Sequence, residues 1–248
     1  MTHKGKKAIV TGAAQGIGFA IAQRLAQEGA KVAICDINLE KAKEQAVLLN
    51  SRGCDCEAFY VDAGDVSSIQ KMTNEVAESF SGIDILVNNA GILDSFSIEN
   101  MTEENWDKVM RINLKSVFFA SQAALKYLKK SSAGRILNIS SLAGRMGGYE
   151  TGMAYTASKG GILSITMGMA RQLAPFGITV NSLCPGTTES ELIKAWSPEQ
   201  IARLTARIPM GRLGQPQDMG AAAAFLTGDE AGFITGLFLD VNGGMYMG

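Results

Sequence analysis

A chain of 248 residues with 46% hydrophobic and 19% charged side chains has the composition of an α/β domain with a large core. Its 23 basic residues nearly balance 24 acidic ones, a formal net charge of −1, which leaves no electrostatic footprint for nucleic acid or an anionic membrane surface. Four cysteines without a CxxC pair and one histidine, His3, argue against a zinc site, and free thiols in a large core point to a reducing, cytoplasmic setting.

In chain order, Lys6-Lys7 precede an apolar run from Ala8 that breaks at Thr11-Gly12 and again at Gln15-Gly16, which spoils it as a secretory leader and makes it a strand at 8–11. A helix follows near 18–28, then a strand at 32–35, a helix at 40–51, a strand at 58–61 and a helix at 67–80. The alternation continues with a strand at 85–87, a long helix at 103–129, a strand at 135–140 and a helix at 153–173. It closes with a strand at 179–183, a helix at 217–226 and a strand at 237–241. None of the apolar stretches reaches the ~18 residues of a membrane-spanning helix. Continuously apolar strands separated by helices predict a seven-stranded parallel sheet, doubly wound with helices on both faces. The whole chain reads as one Rossmann-type domain, 1–248, with residues 187–215 as a lid, because so long a loop between core elements is a functional feature more often than an accident.

The turn after the first strand, Thr11-Gly12-Ala13-Ala14-Gln15-Gly16-Ile17-Gly18, leads into a helix. Glycines at this place let the chain turn sharply and let backbone approach a pyrophosphate, while the helix start offers unpaired N–H groups to it. Asp36 closes the second strand, where a carboxylate can accept hydrogen bonds from the adenosine ribose hydroxyls. A 2′-phosphate there meets a like charge, and Ile37 follows instead of Arg or Lys, so NAD(H) is preferred over NADP(H).

Tyr155 and Lys159 stand four apart in a helical stretch, so both project from one face. An ammonium ~4 Å from a phenol, at an effective dielectric of ~20, favours phenolate by ~4 kcal/mol, roughly three pKa units. That brings a phenol from ~10 towards neutrality, where a general acid–base works best.

Thr11-Gly-x-x-x-Gly16-x-Gly18, Asn88-Asn89-Ala90-Gly91, a serine ending the fifth strand, Tyr155-x-x-x-Lys159 and Pro185-Gly186 occur in this order. With these motifs the chain resembles the short-chain dehydrogenase/reductase family over essentially its full length. The resemblance implies that Tyr155 gives or takes the substrate proton, that Lys159 lowers its pKa and holds the nicotinamide ribose, and that Asn113 links Lys159 to bulk water. A serine of Ser140-Ser141 is implied to hydrogen-bond the substrate oxygen. The family motif puts it at Ser141, which requires a small insertion within 145–151; Ser140 is the fallback. Around the cofactor the resemblance implies contacts from Asp62 and Ala63 to adenine, and from Asn89, Ala90 and Gly91 to the adenosine ribose and the nicotinamide side. Pro185 and Gly186 are implied to form the turn beside the nicotinamide, with Ser190 or Thr188 facing the phosphates or carboxamide. Asn88 is expected to knit the central strands together.

For the substrate, Leu192, Ile193, Trp196 and Met210 in the lid, and Met146, Tyr149 and Met153 flanking the catalytic segment, are candidate apolar lining. Arg145 is the one tempting clamp for an anion. These features favour an NAD-dependent dehydrogenase of a secondary alcohol, polyol, sugar or hydroxysteroid. The alternatives are a 3-oxoacyl-carrier-type ketoreductase, which usually prefers NADPH and often carries a basic residue in place of Gln15, and a non-catalytic dinucleotide sensor. By analogy with relatives the assembly is expected to be a homotetramer.

Overall fold

In the computed structural model, which describes residues 2–148, 151–189 and 197–248, the alternating pattern becomes one seven-stranded sheet. Its strands are β1 (Lys7–Thr11), β2 (Lys31–Asp36), β3 (Asp55–Tyr60), β4 (Ile85–Asn88), β5 (Arg135–Ile139), β6 (Thr179–Pro185) and β7 (Phe238–Val241). They lie in the order β3-β2-β1-β4-β5-β6-β7, and every adjacent pair is parallel. Successive side chains of a strand point to opposite faces, and both faces here are covered, so the central strands are apolar throughout. Ala8 and Val10 of β1 pack on one face with Ile21 and Leu25 of α1 (Gly16–Gln27), with Ala42 and Leu49 of α2 (Leu39–Asn50), and with Ala223 of α9 (Pro216–Thr227). Ile9, between them, packs on the other face with Ile69 and Met72 of α3 (Val66–Phe80), Ala124 of α5 (Ser116–Leu128) and Ala170 of α7 (Met153–Leu173). β1 pairs with β2 on one side and β4 on the other, so the connections diverge there and open a crevice at the carboxyl ends of the strands.

Three local departures from the expected pattern matter. β3 begins at Asp55 because its polar first half is drawn into an unbroken parallel ladder with β2, from Lys31 opposite Asp55 to Asp36 opposite Tyr60. The long helix at 103–129 is two helices, α4 (Glu103–Met110) and α5, joined by a π-helical turn over Arg111–Lys115. Two further helices, α6 (Leu142–Met146) and α8 (Pro198–Thr205), form where no apolar periodicity marked them; Ser141 caps the first and a Ser197–Gln200 capping box the second. α8 lies inside the stretch read as a lid, whose ends are pinned by backbone bonds from Gly214 N–H to Thr187 O (3.0 Å) and from Glu189 N–H to Gly214 O (2.8 Å). Among the described residues no helix is long and apolar enough to cross a membrane.

Candidate active site

A cleft of about 410 Å³ opens over the carboxyl ends of the strands. One wall is the turn between β1 and α1. Gly12 adopts φ +62°, and a Cβ on Gly18 would lie 2.2 Å from Gly12 O and 2.4 Å from Asn89 Nδ2, so only glycine lets the helix sit this close to the strand. Gln15, at the N-cap of α1, makes no capping bond, and the first turn carries no acidic residue. The starting N–H groups of α1 therefore face the cleft without a protein acceptor to cap them, the arrangement an anionic phosphate needs. Gly16 and Ile17 line the same wall.

The wall continues into the loop after β4. Thr11 Oγ1 accepts the N–H groups of Asn89 (3.0 Å) and Ala90 (3.1 Å), while Asn89 Nδ2 donates to Thr11 O and Gly12 O. Asn89 and Gly91 line the cleft; Ala90 is half-buried beside it. Asn88 is buried and donates to Asn138 Oδ1 (2.9 Å) and Ser121 Oγ, tying β4 to β5 as expected of a structural residue.

At the end of β2, Asp36 holds the glycine-rich turn: its Oδ2 accepts Ala14 N–H at 3.0 Å and its Oδ1 accepts Asn38 N–H at 2.9 Å. Ile37 beside it is exposed, and Lys41 from α2 donates to Gln15 Oε1 at 2.6 Å, bringing a cation to this rim that spacing along the chain did not reveal. Asp62 closes its own turn after β3, accepting Gly64 N–H at 2.7 Å, with Ala63 half-buried next to it. On the far side, Pro185, Gly186 and Thr188 line the cleft, and the Thr188 hydroxyl donates to Gly186 O. These residues fit a dinucleotide: a close-packed glycine turn, an uncapped helix start and a carboxylate at the next strand end.

The remaining wall carries Ser140, Ser141, Tyr155 and Lys159. Ser140 and Ser141 diverge as neighbours on an extended chain must. Ser140 is buried and donates to Lys159 O at 2.7 Å, whereas Ser141 Oγ caps α6 and lies beside the Tyr155 phenol. The Ser141 hydroxyl is thus the one of the pair beside the phenol, while the Ser140 hydroxyl is taken up by the backbone of α7. Lys159, one turn from Tyr155 on α7, is buried; its Nζ donates to Ile139 O at 2.8 Å and lies 5.6 Å from the centroid of the Tyr155 ring.

The electrostatics differ from the expectation drawn from Tyr155 and Lys159 alone. Burial pushes the Tyr155 phenol above its ordinary value, with the Ser141 hydrogen bond opposing that shift. Burial also pulls Lys159 down to about 8. The low-dielectric pocket disfavours both charged forms, and for the phenol that desolvation outweighs the contacts that favour phenolate.

Asn113 also has other neighbours than a link to Lys159 implies. Its Oδ1 accepts Ile92 N–H, and its Nδ2 donates to Ile92 O and to Ser158 Oγ at 3.1 Å. The π-helical turn, with one residue more than an α-turn, accommodates this fully buried side chain.

The outer cleft is apolar, lined by Ile92, Leu93, Leu142, Leu204 and Met245; Lys159 is its one charged lining side chain among the described residues. Leu204 comes from α8 and Met245 from the C-terminal segment, placements that only tertiary folding produces. Met146, Met153 and Met210 are exposed and are not among the residues lining it. Arg145 is no free clamp: it pairs with Asp240 at 3.2 Å and stacks on the rings of Phe238 and Tyr246. Tyr149, Ser190, Leu192, Ile193 and Trp196 lie outside the described residues.

The chain belongs to the short-chain dehydrogenase/reductase family and is an oxidoreductase of that family. A family model described as enoyl-(acyl carrier protein) reductase matches residues 12–246. Over the full length of both chains it is 42% identical to the 3-oxoacyl-[acyl-carrier-protein] reductase FabG of Vibrio cholerae and 41% identical to that of Escherichia coli. It is also 41% identical, over 98% of each chain, to an uncharacterized oxidoreductase of Thermotoga maritima. Among solved structures, a dehydrogenase/reductase from Sinorhizobium meliloti superposes with a TM-score of 0.94 at 37% identity, covering 98% of this chain and 96% of that one.

Proposed function

We propose that this protein is a nicotinamide-dependent ketoreductase that reduces a 3-oxoacyl thioester to the 3-hydroxyacyl form. The observation that carries the reading is the placement of Ser141, Tyr155 and Lys159 at the base of a cleft whose outer part, among the described residues, is apolar and free of charged clamps. The names of the full-length relatives support it over the polyol or sugar dehydrogenase expected from the motifs. An acyl chain suits Ile92, Leu93, Leu142, Leu204 and Met245; a polyol or sugar leaves its hydroxyls without partners there.

A bound nicotinamide supplies the hydride. The chain supplies the rest. The Ser141 hydroxyl holds the substrate carbonyl oxygen, and the Tyr155 phenol, kept protonated by burial, delivers a proton to that oxygen as negative charge develops. Lys159, anchored on Ile139 O, steadies the developing phenolate and offers a donor to the nicotinamide ribose. Asn113 acts by positioning the loop and helix around them.

Asp36 supports NADH as the preferred reductant, since a 2′-phosphate would face its carboxylate. The same residue keeps a second reading in view, an NAD-dependent dehydrogenase of an apolar secondary alcohol. Loss of NADH absorbance with acetoacetyl-CoA as substrate tests the proposal. Turnover of the thioester well above that of cyclic and polyhydroxylated ketones supports it; inertness towards the thioester with turnover of apolar secondary alcohols would establish the second reading.

A further inference from the structure

The catalytic helix α7 begins without a cap of its own. Its N-cap residue is Gly152, which has no side chain, and its first turn has no acidic residue. The missing acceptor comes from another part of the chain. Asp94, in the loop after β4, accepts Tyr155 N–H on Oδ2 at 2.6 Å, and its carbonyl accepts Gly152 N–H at 2.7 Å. Tyr155 is the third residue of α7, and its N–H is one of those that an N-cap side chain ordinarily satisfies. Asp94 is buried, only 6% exposed, and its second oxygen, Oδ1, has no hydrogen-bond partner among the described residues. A Cβ on Gly152 would lie 1.5 Å from that Oδ1, so the glycine is needed to let the carboxylate reach the helix. A buried carboxylate with one oxygen unpaired is costly, and the helix start to which it binds is where a negative charge is best tolerated.

We propose that Asp94 is a positioning residue that fixes where the Tyr155 phenol stands. The proposal rests on the reading of Tyr155 as the acid–base group. The other backbone group of Tyr155 is held from the same region. Its carbonyl accepts from Ser158 Oγ at 2.7 Å, and Ser158 in turn accepts from Asn113, which grips Ile92, two residues before Asp94. The N–H and C=O of the reacting residue are thus both referred to the strand end that carries Gly91 and the cofactor wall. Shortening Asp94 lets the first turn of α7 shift relative to Ser141, and a displacement on the scale of 1 Å costs about 100-fold in rate.

The test uses the full chain with acetoacetyl-CoA and NADH, or with a secondary alcohol and NAD⁺ should the thioester prove inert. Asp94→Ala is expected to lower kcat about 10- to 100-fold, while KM and the NADH dissociation constant each stay within about three-fold. Asp94→Asn, which retains an acceptor oxygen, is expected to recover most of that loss. A kcat for Asp94→Ala within about two-fold of the parent overturns the proposal, as does an Asp94→Asn variant as slow as Asp94→Ala. If Asp94→Ala does not fold, Asp94→Glu decides, because it keeps the charge and displaces the acceptor by one methylene: lowered kcat with intact NADH binding supports positioning, and full activity overturns it. Tyr155→Phe is assayed alongside. If that variant retains turnover, the acid–base reading itself fails; if it is inactive while Asp94→Ala is fully active, only the positioning role fails.

Discussion

Asn113 grips the backbone of Ile92 with both halves of its amide, accepting the N–H at 2.8 Å and donating to the carbonyl at 2.9 Å. A side chain on a π-helical turn thereby completes the hydrogen bonding of a loop that has left the sheet, as a neighbouring strand would. The loop so fixed carries Gly91 on one side and Asp94 on the other. A Cβ on Gly91 would come within 3.3 Å of Asn113 Oδ1 and 3.5 Å of Lys159 Nζ, so cofactor wall, lysine and asparagine are packed as one unit.

Replacing Tyr155 by Phe removes the proton donor and leaves the ring that fills the site. Turnover is expected to fall by about 10²- to 10⁴-fold, the usual contribution of a general acid–base, with NADH affinity within about two-fold. Steady-state rates and fluorescence titration of NADH check both halves. Substantial retained activity would sink the assignment.

Asp36→Ala, alone or with Ile37→Arg, is expected to move cofactor preference towards NADP(H). Removing the carboxylate lifts the repulsion of a 2′-phosphate, and the new guanidinium at the exposed position 37 adds to the Lys41 cation already at this rim. A change of roughly ten-fold in the ratio of NADPH to NADH dissociation constants, about 1.4 kcal/mol, is expected from parallel titrations. An unchanged ratio means that Asp36 serves the glycine-rich turn alone.

Lys159→Met should stabilise the protein while abolishing turnover. Burial lowers the lysine from 10.5 to about 8, so below pH 8 the folded state carries a charge that the unfolded chain holds more easily. Between pH 8 and 10.5 the unfolded state binds more protons, and wild-type stability gains with rising pH. The substitution removes that penalty and leaves Ile139 O without its donor, for a net gain of roughly 1–3 kcal/mol at pH 7 that shrinks above pH 8. Denaturant unfolding of both proteins at pH 7 and pH 10 measures it; an advantage that persists at pH 10 contradicts the cause given.

Glu28 should make the amino-terminal clasp sensitive to acid. Burial raises its pKa, but hydrogen bonds from Thr2, Arg24 and His3 outweigh that and hold the carboxyl at about 2. His3, itself buried, also bonds Thr227 of α9 at 3.0 Å, so the clasp joins the chain start to α1 and α9. A depressed carboxyl stabilises the fold above pH 4.5, and that contribution is lost as pH falls towards 2. Glu28→Gln is therefore expected to cost about 1–2 kcal/mol at pH 7, and the gap between variant and parent should close in acid. An equal gap at pH 3 and pH 7 argues against the carboxylate as its source.

The sequence by itself determined the order of strands and helices, the glycine-rich turn, Asp36 at the end of β2, and the pairing of Tyr155 with Lys159. Each of these is local: a strand is legible from a run of apolar residues buried on both faces, and Tyr155 and Lys159 share a helix face through spacing alone. Tertiary structure decided the rest. Ser141 rather than Ser140 meets Tyr155 because the chain turns into α6 at that point, and Arg145 is consumed by Asp240, almost a hundred residues away. Leu204 and Met245 enter the cleft from α8 and the C-terminal segment, while Met146 and Met153, close in sequence to Ser141 and Tyr155, are exposed and not among its lining residues. The partners of Asn113 and Asp94, namely Ile92, Ser158 and the N–H of Tyr155, are backbone and side-chain groups brought near only by packing of the β4 loop against α7. The direction in which the Tyr155 phenol shifts depends on tertiary structure for a related reason: spacing places Lys159 near it, but only the folded interior sets how much water is left to support either charge.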